Sequence, residues 1–335
     1  MTKRLRIGFL GTGQWANYVA RAIGGVADFE MAACYSVDEA ERASFAAATG
    51  CAICRSEEEL LRDSSLDAVC ILTPNDLHHD QALRSMAQGL NVFVEKPIAS
   101  TSGEAASMIA AASKANVRLF VGHNTRRGAR FRRMKEMIDA GEIGKPIISH
   151  VSFTSPAGLG QQLGSWRYDP KRTRAVALAQ IGIHAIDLLN YFFGEPEAVS
   201  ADIRSSGAAG QIEDLCMARI RFASGVIATF DNAYSVTRDR SLSIMGTAGA
   251  LFTPHERLLI HRDAKGVDRQ IETPDNDTVG EEFEEFAAAI RGNRELETTG
   301  EVGALAMAVM EAMICSSESR SEVGVNRISA GNAVE

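Results

Sequence analysis

Residues 5–16 read LRIGFLGTGQWA, and this stretch decides the fold. Leu5–Leu10 is a short apolar segment that predicts a buried strand. Gly11-Thr12-Gly13-Gln14-Trp15-Ala16 follows it directly as a G-x-G-x-x-A turn that opens a helix. In such a turn the first glycine permits a sharp bend, the second admits a pyrophosphate, and the small last residue allows close packing of helix and strand. Residues 11–15 therefore predict a dinucleotide site at a helix N-terminus.

Apolar segments alternate with alanine-rich helical segments over the first ~120 residues. This alternation predicts a parallel, doubly wound sheet with helices on both faces. The expected strands are Leu5–Leu10, Met31–Tyr35, Cys51–Cys54, Ala68–Leu72, Asn91–Val94 and Arg118–Val121. We therefore expect a dinucleotide-binding domain over residues 1–122.

The character of the sequence changes after residue 122, and we expect a second α/β domain over residues 123–335. Segments between Ala198 and His261 alternate with period two, which predicts an antiparallel or mixed sheet. The expected helices are about Arg127–Ala140, Val176–Phe193, Val279–Arg291 and Gly300–Glu318, with a strand at Pro146–Phe153 and a loop from Thr154 to Arg174.

The composition excludes several classes of partner. The chain has 335 residues, 45% hydrophobic and 23% charged, with a formal net charge of -8. This charge argues against nucleic acid or an anionic membrane as the main partner. We expect no transmembrane helix and no signal peptide, because no apolar run approaches the ~20 residues that a span requires. Six cysteines without a second C-x-x-C pair favour packing of Cys51 and Cys54 over redox or metal chemistry, and a reducing cytoplasm.

The end of the second strand, Tyr35-Ser36-Val37-Asp38, bears on the ribose of a dinucleotide. NAD sites usually carry an acid at this place, but here Ser36 occupies it, and a small hydroxyl tolerates a 2′-phosphate. Arg42, one helical turn further, is the nearest cation. Asp38 is either the ribose acid or a residue of the first helical turn. These residues slightly favour NADP(H) over NAD(H).

Glu95-Lys96-Pro97 closes the apolar strand Asn91–Val94. A lysine at the carboxyl end of a parallel strand lies at the rim where open α/β sheets bind ligands, and there it can hold a substrate hydroxyl and assist its deprotonation. The proline fixes the backbone after the lysine. Asn124 and Arg126 leave the sixth strand at the same rim, so we expect them beside the substrate. His78 and His79 are adjacent and do not share a helix face, so we expect no metal site.

The predicted helix Val176–Phe193 carries Gln180, His184 and Asp187, which share one face by their spacing of four and three. His184 suits proton transfer, but a helix-packing histidine fits the same sequence, and both interpretations stay open. The preceding Trp166-Arg167-Tyr168 offers a flat surface and hydrogen-bond donors for a sugar ring or carboxylate; exposure without function is the alternative. The cations that follow Arg167, namely Lys171, Arg172 and Arg174, suggest an anionic substrate such as a uronate.

These motifs together resemble the Gfo/Idh/MocA family of NAD(P)-dependent oxidoreductases, named for glucose-fructose oxidoreductase, inositol dehydrogenase and a rhizopine-catabolism protein. The resemblance covers nearly the whole chain and rests on an ordered set of motifs. They are the G-x-G-x-x-A turn, Thr73-Pro74-Asn75 with His78, Glu95-Lys96-Pro97, Gly122-His123-Asn124 with Arg126, Gly182-Ile183-His184 with Asp187, Gly246-Thr247-Ala248-Gly249 and Thr299-Gly300-Glu301.

The resemblance implies a Rossmann domain followed by an α/β domain with a large open, mostly antiparallel sheet that forms homodimers or homotetramers. It implies NADP or NAD as cofactor and hydride transfer to or from a sugar, cyclitol or related carbon. It makes Lys96 and His184 the catalytic residues and Pro97 a cis proline. Taken together with the residues discussed above, the expected cofactor ligands are Gly11, Thr12, Gly13, Gln14, Trp15, Ser36, Arg42, Thr73, Pro74, Asn75, His78, Glu95 and Lys96. The expected substrate ligands are Lys96, Asn124, Arg126, Trp166, Arg167, Gln180 and His184.

Two departures from the family pattern lie next to His184. Many members carry an aspartate where this chain has Gln180, which cannot exchange a proton, and a glycine-rich approach is replaced by Arg174-Ala175-Val176-Ala177. Three alternatives to a sugar dehydrogenase therefore stay open. They are an NAD-dependent glycosidase of the same superfamily, a dihydrodiol- or imine-type reductase, and a non-catalytic nucleotide-binding sensor.

Overall fold

The computed structural model describes residues 3–160, 165–208, 210 and 212–326, and every structural statement below concerns these residues. The predicted loop from Thr154 to Arg174 is therefore described except for residues 161–164. The α-helices are α1 (Gln14–Gly24), α2 (Glu39–Thr49), α3 (Glu57–Leu61), α4 (His78–Ala87), α5 (Ser102–Ala115), α6 (Ala129–Asp139), α7 (Ile183–Phe193), α8 (Thr278–Ile290) and α9 (Gly300–Ser319).

The strands form two separate sheets. The first comprises β1 (Leu5–Leu10), β2 (Phe29–Tyr35), β3 (Ala52–Ile53), β4 (Ala68–Ile71), β5 (Asn91–Glu95) and β6 (Leu119–Gly122). The second comprises β7 (Pro146–Thr154), β8 (Pro196–Arg204), β9 (Leu215–Phe222), β10 (Ile227–Ala233), β11 (Asp239–Gly246), β12 (Gly249–His255), β13 (Leu258–Asp263), β14 (Asp268–Ile271) and β15 (Val323–Gly324). The predicted strands recur with shifts of one or two residues at their ends.

The first sheet is parallel throughout and has the order β3-β2-β1-β4-β5-β6. This is the strand order of a Rossmann fold, so the predicted doubly wound parallel sheet is confirmed. Strands β4 and β5 are apolar and almost wholly buried because helices cover both faces of such a sheet. Cys51 is part of the same buried core, as expected for a cysteine that packs as a small apolar side chain.

The chain divides into two compact units, and the first takes in residues up to 124 together with 277–304. Helix α8 is buried in the core of this unit: the ring centroid of Phe283 lies 4.4 Å from that of Phe93 and 5.9 Å from that of Phe29. The expected division at residue 122 had assigned this segment to the second domain. The sequence shows that α8 has an apolar stripe, but a stripe does not tell which sheet it covers.

The second unit comprises residues 125–276 and 305–326. Its nine-stranded sheet has the order β14-β13-β12-β11-β7-β10-β9-β8-β15, and every neighbouring pair is antiparallel except β7 with β10. The sheet is therefore mixed and mostly antiparallel, as predicted. Buried and exposed residues alternate along β9 and β10, because only one face of the sheet is covered.

Helix α9 is the one helix, within the described part of the chain, with the length and hydropathy of a membrane span. Its mean hydropathy is 1.3, but 61% of the apolar window is buried inside the protein. Such burial is typical of a core helix, which needs the same apolar composition as a membrane span.

Candidate active site

The glycine turn between β1 and α1 has a shape that only glycine permits at its first position. Gly11 has φ of +90°, and a Cβ there would lie 2.8 Å from the carbonyl carbon and oxygen of Leu72. At Gly13, by contrast, a Cβ would meet only the carboxylate oxygens of Glu41, at 3.7 and 4.0 Å. The backbone of the second glycine is therefore open on the side from which a pyrophosphate approaches in folds of this type.

The N-terminus of α1 has hydrogen-bond donors left for a ligand. The helix begins at Gln14 without a side-chain cap and without an acid in its first turn. The hydroxyl of Thr12 is buried and has no hydrogen-bond partner within the described residues. Uncapped N–H groups and an unsatisfied buried hydroxyl are costly unless a ligand binds them, so these residues fit the phosphates of a dinucleotide.

The other motifs of the first unit lie at the same carboxyl edge of the sheet. The connections of the sheet diverge between β1 and β4, and Thr73-Pro74-Asn75 follows β4 while Lys96 follows β5. Ligands of doubly wound sheets bind at this point of divergence. The structure thus brings the predicted cofactor residues of the first unit to one edge.

His78 is fully buried and joins two of these motifs through its ring. Its Nδ1 lies 2.8 Å from the carbonyl oxygen of Pro97, and its Nε2 lies 3.0 Å from that of Thr73. Burial lowers the pKa of His78 although both carbonyls oppose this change. Because its two ring nitrogens face backbone carbonyls, we assign His78 to positioning the motifs rather than to direct contact with a cofactor.

Glu95 links Lys96 to the glycine turn. The indole Nε1 of Trp15 donates to Glu95 Oε1 at 2.7 Å, and the backbone N–H of Lys96 donates to Glu95 Oε2 at 3.1 Å. A Cβ at Gly122 would come within 3.0 Å of the same carboxylate. Burial raises the pKa of Glu95, while the ammonium of Lys96 and the hydrogen bond from Trp15 act in the opposite direction. The peptide bond between Lys96 and Pro97 is cis, as the resemblance implied.

The end of β2 brings Ser36 and Arg42 together. Arg42 Nη1 donates to the carbonyl oxygen of Ser36 at 2.7 Å, and its guanidinium lies 5.7 Å from the ring centroid of Tyr35. Asp38 is the N-cap of α2, where its side chain accepts from the backbone N–H of Glu41 at 2.9 Å. Of the two interpretations of Asp38, the structure therefore supports the residue that begins the helix.

Glu41 is a residue that the sequence reasoning missed. Its carboxylate faces Gly13 across the glycine turn, at the distances given above. A carboxylate in this region accepts hydrogen bonds from ribose hydroxyls but repels a 2′-phosphate. The usual pattern points to an acid at the end of β2, whereas Glu41 reaches the same region from the first turn of α2.

In the second unit, Arg126 and Asp187 form a buried ion pair. Arg126 Nε donates to Asp187 Oδ2 at 2.8 Å, its Nη2 donates to Oδ1, and both residues are at most 5% exposed. The guanidinium also lies 5.0 Å from the ring centroid of Tyr191. Such a paired and buried arginine anchors α7 to the segment after β6, and this supports a structural role better than the predicted contact with substrate.

The segment before α7 is helical but contains a π turn from Leu178 to Gly182. The spacing rule of a regular α-helix therefore does not apply strictly at Gln180, and the shared face of Gln180, His184 and Asp187 stays a prediction. Gln180 Oε1 accepts from Arg167 Nε at 3.1 Å. Ala175 at the approach has φ of +45°, a strained conformation in which glycine is favoured.

The remaining predicted substrate residues have partly exposed side chains. His184 lies in the first turn of α7, and Trp166 stacks under the guanidinium of Arg167 at 4.5 Å. Asn124, in the first unit, donates through Nδ2 to the hydroxyl of Thr278 at 3.2 Å. In the second unit, Arg167 is therefore hydrogen-bonded to Gln180, and Arg126 to Asp187. In the first unit, Lys96 is hydrogen-bonded to Glu95.

Comparison with known proteins agrees with this description. Residues 5–123 match the profile of an oxidoreductase family with an NAD-binding Rossmann fold, and residues 131–252 match the GFO/IDH/MocA C-terminal domain. Together the two matches span more than half of the chain. The chain belongs to the Gfo/Idh/MocA family. It is an NAD(P)-dependent oxidoreductase, as the resemblance implied.

Individual relatives match over nearly their full length. A 1,5-anhydro-D-fructose reductase of Ensifer adhaerens is 29% identical over 326 residues, which cover 93% of this chain and 96% of the relative. An inositol 2-dehydrogenase of Rhizobium meliloti is 26% identical, with 96% and 99% covered. The crystal structure of a proposed NADPH-dependent oxidoreductase from Desulfitobacterium hafniense superposes with a TM-score of 0.90 at 27% identity, covering 97% of this chain and 99% of that one.

The raised pKa of Glu95 predicts how stability depends on pH. Its folded pKa lies above its unfolded pKa, so its contribution to the free energy of unfolding is present at low pH and is lost as pH rises through the folded pKa. Glu95→Gln removes this titration. Urea unfolding between pH 4 and 8 should therefore show the variant gaining stability relative to the wild type as pH rises. Glu284→Gln, at an exposed position, serves as the control, and a difference independent of pH for Glu95→Gln contradicts the prediction.

Proposed function

We propose that the protein oxidises a secondary alcohol of a sugar, a cyclitol or a derivative to the ketone, or catalyses the reverse reduction. The observation that carries this proposal is the position of Lys96, directly after the buried Glu95 at the carboxyl edge where the glycine turn lies. The activities named for the two relatives support the substrate class, because one acts on an anhydro sugar and the other on inositol.

Lys96 has the chemistry to stabilise the oxygen of the reacting alcohol. The hydrogen bond from its backbone N–H to Glu95 fixes the backbone from which its side chain starts. Its ammonium offers positive charge to an oxygen that becomes negative as the proton leaves. When bound, the nicotinamide of the cofactor supplies the acceptor or donor of hydride.

We assign His184 the transfer of the hydroxyl proton. A histidine changes its protonation state near neutral pH, so it accepts a proton during oxidation and returns it during reduction. Gln180 holds no exchangeable proton for this step, so the proton is left to His184 with electrostatic help from Lys96. The second domain, in this proposal, provides substrate-binding residues such as Trp166 and Arg167, and the first provides Asn124.

Replacing Lys96 tests the mechanism. Lys96→Ala should lower kcat by about 10²–10⁴-fold, the usual contribution of a positioned acid–base or electrostatic group, while the Kd of the cofactor changes little. Nicotinamide absorbance over a panel of sugars and cyclitols gives kcat, and calorimetric titration gives the Kd. Lys114→Ala, on the exposed face of α5, is the matched control. Turnover within threefold of the wild type in Lys96→Ala would refute the assignment.

The same assay separates the alternatives to a dehydrogenase. A glycosidase of this superfamily would release a free sugar without net reduction of the cofactor. A reductase of dihydrodiols or imines would consume reduced cofactor only with those compounds. A sensor would bind cofactor without turnover of any compound.

We propose NADP(H) as the preferred cofactor. Arg42 is held beside Ser36 by a hydrogen bond and by its contact with Tyr35, so a cation lies at the end of β2 where the ribose of a dinucleotide binds. The carboxylate of Glu41 acts against this preference. Arg42 outweighs it in our proposal because its position is fixed by two contacts with β2.

Arg42→Ala should raise the KM for NADP(H) about tenfold or more, because one charge-assisted contact to the 2′-phosphate is lost, and should change the KM for NAD(H) little. Initial rates with both cofactors give these values. Glu41→Gln is the companion variant and should lower the KM for NADP(H). A wild-type enzyme that strongly prefers NAD(H), or an equal rise of both KM values in Arg42→Ala, contradicts the proposal.

We propose that the protein assembles as a homodimer or homotetramer through the uncovered face of the second sheet. Ile148, Met217 and Ile227 lie on the uncovered face of strands β7, β9 and β10 and are 42–56% exposed. Exposed apolar side chains on an open sheet face are typical of an interface. Sedimentation velocity should give two or four copies, and Met217→Lys should shift the mass towards one copy. A monomeric wild type contradicts this proposal. The cytoplasm remains the predicted location, where the free cysteines would stay reduced.

A further inference from the structure

Arg167 carries a charge that the surrounding described residues do not neutralise. Its Nε donates to the neutral Gln180 at 3.1 Å, and its guanidinium stacks on Trp166 at 4.5 Å. No carboxylate of the described residues lies within salt-bridge distance of it. The side chain is partly buried, so its charge is only partly compensated by water.

The other cations of this loop do not share this property. Arg174, which the sequence grouped with Arg167, pairs with Glu318 at 2.5 Å, and Lys171 is exposed to solvent. Arg172 also has an interaction partner among the described residues. The predicted cationic cluster therefore reduces to one guanidinium whose remaining N–H donors are available for an anion. The fork of a single guanidinium matches the two oxygens of one carboxylate.

Because Gln180 is neutral, its hydrogen bond to Arg167 does not neutralise the positive charge of the guanidinium. An acid at position 180 would accept the same hydrogen bond from Arg167 Nε and would neutralise the guanidinium as an ion pair. The amide accepts the hydrogen bond and orients the guanidinium, but leaves the charge in place. Gln180 therefore holds Arg167 in position and leaves its positive charge available for an anion.

Two phenols lie near the same guanidinium. Arg167 interacts electrostatically with Tyr168 and Tyr234, and Tyr234 is only 9% exposed. Burial raises the pKa of both tyrosines, although Arg167 acts to lower it. Both hydroxyls therefore stay protonated at neutral pH and can donate hydrogen bonds. Tyr234, just after β10, is a residue that the sequence reasoning missed.

We propose that the substrate is a sugar acid, such as a uronate, and that Arg167 binds its carboxylate. This inference rests on the proposed function, since it names the substrate class of that site. Gln180 acts as a positioning residue for Arg167, and the hydroxyl of Tyr234 supplies a further donor. The arrangement discriminates against neutral sugars because they leave the guanidinium without a counter-charge.

The experiment measures kcat/KM for D-glucuronate and D-galacturonate and for the neutral D-glucose and D-galactose, with D-glucose 6-phosphate as a second kind of anion. The wild type should prefer a uronate over its neutral parent by at least tenfold. Gln180→Glu, which creates an ion pair with Arg167, should reduce this preference about tenfold or more, mainly through the KM of the uronate. Arg167→Met should reduce it similarly.

Arg174→Met is the matched control, because this arginine of the same loop is already paired, and it should leave the preference unchanged. Thermal unfolding checks that Arg167→Met is folded. Gln180→Glu leaves the neighbouring side chains unchanged and replaces only an amide by a carboxylate of the same shape. The inference is overturned if neutral sugars or the phosphate ester are preferred, if Gln180→Glu keeps the preference, or if Arg167→Met raises the KM of the cofactor instead. If no sugar of any class reacts, the proposed function fails, and this inference fails with it.

Discussion

The hydrogen bonds of one buried carboxylate, that of Glu95, hold the cofactor edge of the first unit together. A buried carboxylate is stable only when its oxygens are bonded, and here its two described donors come from α1 and from the turn after β5. Gly122 on β6 must lack a side chain to leave room for it. The positions of Trp15, Lys96 and Gly122 are therefore coupled, although they are far apart in the sequence.

His78 is a second buried polar side chain whose contacts hold separate segments of the backbone together. An imidazole without access to water is placed between the carbonyl oxygens of Thr73 and Pro97, so it joins the loops after β4 and β5. The family motifs of this chain thus contain two kinds of residue. Some, such as Glu95 and His78, are buried and hold the backbone, while others, such as Lys96 and Arg42, are partly exposed and have charge to offer a ligand. Sequence motifs do not separate the two kinds, because both are needed for the same site.

The features that were predicted correctly are those that depend on residues close together in the sequence. The parallel sheet followed from apolar strands that alternate with helices, and the dinucleotide site followed from a glycine turn placed between a strand and a helix. The sequence does not reveal which side chains meet over long distances. Phe283 lies in the same core as Phe93, 190 residues earlier, and Asp187 is bound by Arg126, 61 residues earlier. The π turn at Gln180 also has no signature in the periodicity.

Gln180, which stands where the family pattern has an aspartate, is central to the proposed choice of substrate. At this place an aspartate would combine two properties, a hydrogen-bond acceptor and a negative charge, whereas glutamine keeps the first and removes the second. The acceptor is sufficient to orient Arg167. The charge of the region is more positive by one unit than it would be with an aspartate. In our proposal this difference acts on substrate recognition, because Lys96 and His184 keep the groups that we assign to the oxygen and to its proton.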